Sequence, residues 1–193
     1  MSGLIERRPA VAALLRDRGD LLLVTGLGST TYDAFAAGDD DRNFYLWGAM
    51  GAATMTGLGI ALAQPDRPVM VLTGDGELLM GLGSLATIAQ HAPPNLSIVV
   101  LDNEQYSETG QQTSATGSGT DLVAVAAGCG ITDTRLITRE DEVPALRDAI
   151  HTLAATTLAV IKISNTPQPR AIPIRDGVML KNRFRHALFG VGA

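Results

Sequence analysis

Pro68-Val69-Met70-Val71-Leu72-Thr73-Gly74-Asp75-Gly76-Glu77 is an apolar run that stops on an acid between two glycines. A short apolar run without polar alternation predicts a strand buried on both faces. The glycines predict a tight turn, and the residues out to about His91 predict a helix. The next run, Leu96 to Leu101, predicts another strand, and it ends on Asp102-Asn103.

The pattern repeats outward in both directions. Ile5 to Arg18 has the spacing of an amphipathic helix, and Asp20 to Thr25 that of a buried strand. Gly26-Leu27-Gly28-Ser29-Thr30-Thr31 turns into a helix ending near Ala37, and Phe44 to Trp47 is a short strand. Gly48-Ala49-Met50-Gly51 leads into a small-residue helix that stops near Pro65. Beyond a polar loop at 102–119, Asp121 caps a helix to Ala127, and Thr134 to Thr138 is a strand. Arg139 to Leu153 is a helix with acids in its first turn, and Thr157 to Ser164 is the sixth strand. Strands alternating with helices predict a three-layer α/β/α fold on a parallel six-stranded sheet, spanning residues 1–166. Residues 167–193 form a basic tail, helical near Lys181. Ligands of such sheets sit beyond the carboxyl ends of the strands. The residues after Thr25, Trp47, Thr73 and Leu101 are therefore expected to converge.

Composition narrows the function. The 193 residues are 46% hydrophobic and 18% charged, enough for a globular core. A net charge of −5 excludes a general nucleic-acid binder. The single cysteine, Cys129, excludes a disulfide framework and a cysteine-held metal or cluster. The expected compartment is the cytoplasm, with no targeting segment and no apolar stretch long enough to span a membrane.

The chemistry centres on Asp75. A helix start offers free N–H groups to an anion such as phosphate, which an aspartate there would repel unless a cation lay between them. A hard divalent ion, Mg²⁺ or Ca²⁺, meets that need with oxygen ligands. The alternative is a plain capping aspartate. Asn103 favours the metal: it ends the next strand, one helix and one strand later, and adds a neutral oxygen within reach of the same ion.

Gly74-Asp75-Gly76 followed by Asn103 resembles the diphosphate-binding motif of thiamine-diphosphate enzymes. Trp47-Gly48-Ala49-Met50-Gly51, Thr54 to Pro65 and Gly28-Ser29-Thr30 resemble further segments of the same domain. Leu101 to Gly110 resembles the small-subunit type found in sulfopyruvate and phosphonopyruvate decarboxylases. The resemblance covers residues 20 to 165 and implies thiamine diphosphate and Mg²⁺ as cofactors. It implies that Asp75 and Asn103 bind the metal through side chains and Gln105 through its carbonyl. Gly28, Ser29, Thr30, Gly76, Glu77 and Tyr106 would surround the diphosphate. Gly48 would accept from the 4′-amino group, and Met50 would hold the cofactor bent so that its 4′-imino nitrogen meets the thiazolium C2. Many relatives carry a small residue where this chain has Glu77. Its carboxylate is expected to point to solvent; turned inward, it would disfavour the diphosphate.

The resemblance also implies what the chain lacks. A glutamate on a separate pyrimidine-binding domain activates the cofactor in this family, and 193 residues leave no room for that domain. The expected partner is a pyrimidine-binding alpha subunit, in an α2β2 or larger assembly. The small residues Gly51, Ala52, Ala53 and Gly57 suggest a close-packed contact with it. The expected reaction is decarboxylation of a small anionic 2-oxo acid, 3-sulfopyruvate or phosphonopyruvate. Ser107 and Thr109, followed by Gln111 and Gln112, are candidates to face the substrate. The alternatives are an acetolactate-synthase-like carboligase subunit, a ferredoxin-coupled oxidoreductase subunit, and a non-catalytic cofactor-binding regulatory domain. Arg170, Arg175, Lys181, Arg183 and Arg185 are candidates to fold over the site or to bind a partner. His91, His151, His186 and Cys129 read as structural or solvated, Met55, Met70 and Met80 as core, and Gly38 to Asp41 as a solvated loop.

Overall fold

The computed structural model describes residues 4–190. Its strands are β1 (Leu22–Thr25), β2 (Asn43–Tyr45), β3 (Val69–Gly74), β4 (Leu96–Asp102), the short β5 (Gln105–Tyr106) and β6 (Gln112–Thr113), β7 (Asp133–Ile137) and β8 (Thr157–Lys162). Six of them form one all-parallel sheet in the order β2-β1-β3-β4-β8-β7, while β5 and β6 pair as a separate hairpin. Val71 at the centre of the sheet is in register with Val24 and Ile98.

The apolar runs are explained by the two faces they supply. Leu23, Met70, Leu72, Val99 and Ile161 point to one face, which is covered by α1 (Arg7–Leu14), α2 (Ser29–Ala36) and α7 (Val143–Ile150). Leu22, Val24, Val71, Ile98 and Val160 point to the other, covered by α3 (Ala53–Ala63), α4 (Asp75–Met80), α5 (Ser84–His91) and α6 (Leu122–Cys129). Each side chain so buried contributes about 1.5–3 kcal/mol, so both faces favour aliphatic residues and the runs do not alternate.

The single helix expected up to His91 is two helices, α4 and α5, broken at Gly81-Leu82-Gly83. The cause is a backbone contact: a Cβ on Gly81 would lie 2.3 Å from the Gly51 carbonyl oxygen, and Gly51 itself has φ of +88°. A Cβ on Gly57 would lie 2.1 Å from Val71 Cγ2, which brings α3 directly onto β3. Gly51 and Gly57, which suggest a partner contact in the sequence, thus serve packing within the chain. The first helix is also shorter than expected, because Ile5 forms a parallel bridge with Ile163. The helix expected from Arg139 opens as a 3-10 turn at Glu140–Glu142 and becomes α-helical from Val143, with Pro144 in the first turn, where its missing N–H does no harm.

The described part of the tail, 167–190, packs against the domain. Pro169 O accepts from Arg8 Nη2 at 2.6 Å, the Arg170 guanidinium lies 5.9 Å over the Tyr32 ring, and Ile174 O accepts from Trp47 Nε1 at 3.0 Å. Asp176 then caps α8 (Gly177–Phe189), whose Phe184 stacks on Phe44 beside β2 at 5.3 Å. Asp39 pairs with Arg183 at 2.7 Å, so the loop expected to be solvated anchors this helix. The Arg42 side chain, hydrogen-bonded to Asp40, holds that carboxyl down at about 2. Met70 is fully buried, but Met55 and Met80 are exposed and are not core. No described helix is long and apolar enough to cross a membrane.

Candidate functional site

β2 and β3 flank β1 on opposite sides, so the chain order reverses between β1 and β3. A cavity opens at that switch point, beyond the carboxyl ends of the strands. The turn after β1 contributes Leu27, Ser29 and Thr30, and the loop after β2 contributes Met50. Gly74, Asp75, Gly76 and Glu77 come from the β3 turn. Asn103, Gln105, Tyr106, Ser107, Glu108 and Thr109 come from the segment after β4. The four strand ends singled out in the sequence therefore meet. Gly28 adjoins the cavity with φ of +76°, and Glu108 packs against its α-carbon. Gly48 is exposed in the loop after β2 and outside the cavity lining, and Gln111 and Gln112 are exposed too. Gln111 lines a second, polar cavity that shares Arg7, Ser29, Asn103, Ser107 and Glu108 with the first.

Asp75 is 1% exposed and has no cationic side chain beside it among the described residues. Its Oδ2 accepts hydrogen bonds from Ser114 Oγ and, at 3.1 Å, from Thr116 Oγ1. Burial pushes its carboxyl above the usual range; the two hydroxyls oppose that rise and the charge of Asp102 adds to it. Both hydroxyls reach Oδ2, which leaves Oδ1 for a cation. Asn103 is oriented by its neighbours: Oδ1 accepts from Gln105 N–H at 3.2 Å, and Nδ2 donates to Ser107 Oγ at 2.8 Å. No three His, Cys, Asp or Glu side chains cluster as metal ligands among the described residues. One carboxylate, one amide oxygen and nearby backbone carbonyls suit a hard ion that takes its remaining oxygens from a ligand and water, as Mg²⁺ does. A buried carboxylate without a counter-charge fits that ion, since its burial is costly until a cation arrives.

Glu77 does not point to solvent. It is 5% exposed, and its Oε2 accepts from Leu27 N–H at 3.2 Å. A Cβ on Gly26 would lie 1.4 Å from that same oxygen. Oε1 is buried without a hydrogen-bond partner. Burial pushes the carboxyl up to about 7, against the pull of donors from Thr73, Leu27 and Gly51. The side chain therefore ties the β1 turn to α4, and near neutrality much of it is uncharged.

Gly76 makes room for a neighbour: a Cβ there would lie 2.3 Å from Tyr106 Cε1. Behind the site, Thr116 Oγ1 also reaches Asp102 Oδ1 at 2.8 Å, and Asp102 Oδ2 takes the Lys162 ammonium at 2.9 Å. Burial works against the Lys162 charge, but hydrogen bonds to Glu104 and Asp102 outweigh it and raise the pKa. Sequence reasoning missed Ser114, Thr116, Asp102, Lys162 and Arg7. The first two lie in a polar loop without periodicity; the Asp102–Lys162 register only exists once β4 and β8 pair. His91, His151 and His186 are exposed, and Cys129 is half-buried against the core.

The family described as thiamine pyrophosphate enzyme, C-terminal TPP binding domain, matches residues 28–163. A phosphonopyruvate decarboxylase of Streptomyces viridochromogenes is 45% identical over 137 residues, 71% of this chain and 33% of that protein. The sulfopyruvate decarboxylase subunit beta of Methanocaldococcus jannaschii is 35% identical over 167 residues, 86% of this chain and 88% of that subunit. A solved thiamin diphosphate-dependent enzyme from Mycobacterium smegmatis superposes with a TM-score of 0.72 at 26% identity, over 86% of this chain and 33% of its own. The chain thus spans about a third of the phosphonopyruvate decarboxylase it matches and most of the methanogen subunit.

Proposed function

This chain belongs to the thiamine pyrophosphate enzymes, as one of their C-terminal TPP binding domains, and from that membership we propose that it is the diphosphate-binding subunit of a 2-oxo acid decarboxylase. Its substrate is 3-sulfopyruvate or phosphonopyruvate, and a separate pyrimidine-binding subunit completes the site. The observation that carries the reading is the buried Asp75 carboxylate, fixed by two hydroxyls and lacking a counter-charge, in a cavity shared with Asn103.

Asp75 and Asn103 hold Mg²⁺, with the Gln105 carbonyl as a third protein ligand. Ser29 and Thr30 donate hydroxyls to the diphosphate, and Tyr106 closes its side. Met50 supports the rings from the loop after β2. Leu27, Leu101 and Ile163 give the wall an apolar part. Bound thiamine diphosphate supplies the electron sink for cleaving the bond between the keto carbon and the carboxylate. Ser107 and Thr109, at the same wall, face the anionic end of the substrate. The activating glutamate comes from the partner, and α2β2 is the simplest closed assembly.

The test is CO₂ release from sulfopyruvate and phosphonopyruvate with thiamine diphosphate and Mg²⁺, by this chain alone and mixed with a pyrimidine-binding subunit from the same genome. Release only in the mixture supports the reading. Full activity from this chain alone overturns the two-subunit assignment. Conversion of pyruvate to acetolactate in its place would make the chain a carboligase subunit.

A further inference from the structure

Among the described residues Arg7 is the one arginine that lines the cofactor cavity, and it lines the adjoining polar cavity as well. Its side chain is only 11% exposed. Two contacts fix it. Nε lies 2.7 Å from Asp33 Oδ2, and Nη1 donates to Ser29 Oγ at 2.8 Å. Asp33, itself fully buried, also pairs with Arg8, whose Nη2 turns away to Pro169 O. One carboxylate thus faces two guanidinium groups. A further acid at this end, Glu108, is 3.2 Å from Arg170. Glu108 is thus engaged by Arg170, and Arg7 is the guanidinium among the described residues that lines both cavities. The N–H groups on Arg7 Nη2 have no acceptor among the described residues. By donating to Ser29 Oγ, Arg7 also leaves the serine hydroxyl hydrogen free to donate into the cavity.

We propose that Arg7 is a further anion-binding residue of this site, taking a phosphoryl oxygen of the cofactor's diphosphate directly and aiming the Ser29 hydroxyl at it. The inference rests on the thiamine diphosphate reading above. An arginine held at its Nε edge presents the other edge as a preorganised donor pair, the geometry that suits phosphate. Asp33 fixes the guanidinium without cancelling its charge, because Arg8 shares that carboxylate.

The experiment titrates the full chain, mixed with its pyrimidine-binding subunit, by calorimetry in Mg²⁺. The probes are thiamine diphosphate and thiamine monophosphate. Arg7→Met should weaken thiamine diphosphate by about 10- to 100-fold, the loss of a charged hydrogen-bond donor. It should affect thiamine monophosphate less, and Arg7→Lys should fall between. Arg8→Gln, which leaves both cavity linings intact but gives Asp33 to Arg7 alone, should weaken thiamine diphosphate less than Arg7→Met does. The double variant R7M/D33N separates binding from structure. If Arg7 only neutralises Asp33, this variant regains wild-type affinity and the proposal is overturned. Unchanged affinity in a folded Arg7→Met also overturns it, while leaving the cofactor reading in place. Failure of the wild type to bind thiamine diphosphate removes that reading, and this inference with it.

Discussion

Ser114 donates its hydroxyl hydrogen to Asp75 Oδ2 across 39 residues of chain, so the loop after β4 orients the acid at the end of β3. The bond sets which carboxylate oxygen remains for a cation. Asp75→Ala is expected to abolish Mg²⁺-dependent thiamine diphosphate binding while circular dichroism and unfolding midpoint hold or improve, because an uncompensated buried charge is lost. Ser114→Ala should weaken cofactor binding by about 10-fold, the scale of one hydrogen bond to a charged group. Wild-type cofactor affinity in Asp75→Ala, read by calorimetry, would rule out the metal assignment.

Glu77 makes stability depend on pH in the metal- and cofactor-free chain. Burial raises its pKa from 4.5 to about 7. Between those values the folded state holds more protons than the unfolded one, so stability is full below 4.5 and falls as pH rises through 7. The loss should be on the order of 2 kcal/mol. Glu77→Gln keeps the shape and removes the titration. Urea unfolding at pH 5 and pH 8 should show wild type losing stability relative to the variant; parallel behaviour of the two would refute the assignment.

Gly81→Ala should be strongly destabilising, because the added methyl meets the Gly51 backbone oxygen, which cannot swing aside as a side chain could. A loss of about 1–3 kcal/mol is expected from such overpacking. Thermal unfolding measures it. A variant as stable as wild type would mean that the two glycine segments do not touch.

Met50→Ala should lower turnover more than substrate affinity. Met50 stands alone from the β2 loop in the cavity wall. If it supports the cofactor rings, its loss misplaces the reacting atoms, and about 1 Å of misplacement can cost on the order of 100-fold. Steady-state kinetics of the complete assembly distinguish the cases: a rise in KM with kcat intact would contradict the role.

The strands were legible because a strand buried on both faces needs aliphatic residues at every position, as Val69 to Leu72 and Ile98 to Leu101 supply. The meeting of Asp75 and Asn103 in one cavity was legible because both stand at strand ends, where packing does not ask for them. What stayed hidden depends on contacts between distant segments. The break at Gly81 follows from Gly51 lying against it, and the direction of Glu77 from the empty space over Gly26. Met80 and Met55 are as apolar as Met70 but lie on outward faces, which composition does not reveal. Arg7 sits on a helix that reads only as amphipathic until Asp33 of α2 is seen opposite it.

The sheet ends differently on its two sides. At β2 the Arg183 guanidinium donates to the Asn43 carbonyl at 3.4 Å, and α8 lies along the strand. At β7 the charged Asp133 and Arg135 stand in the strand itself, paired at 2.9 Å. A three-residue strand under a helix and a strand carrying charges are both poor templates for another chain's backbone. Amyloid-like growth from this sheet is thus blocked at one border by a covering helix and at the other by salt. Removal of α8 would uncover the first border and leave only the shortness of β2 to guard it.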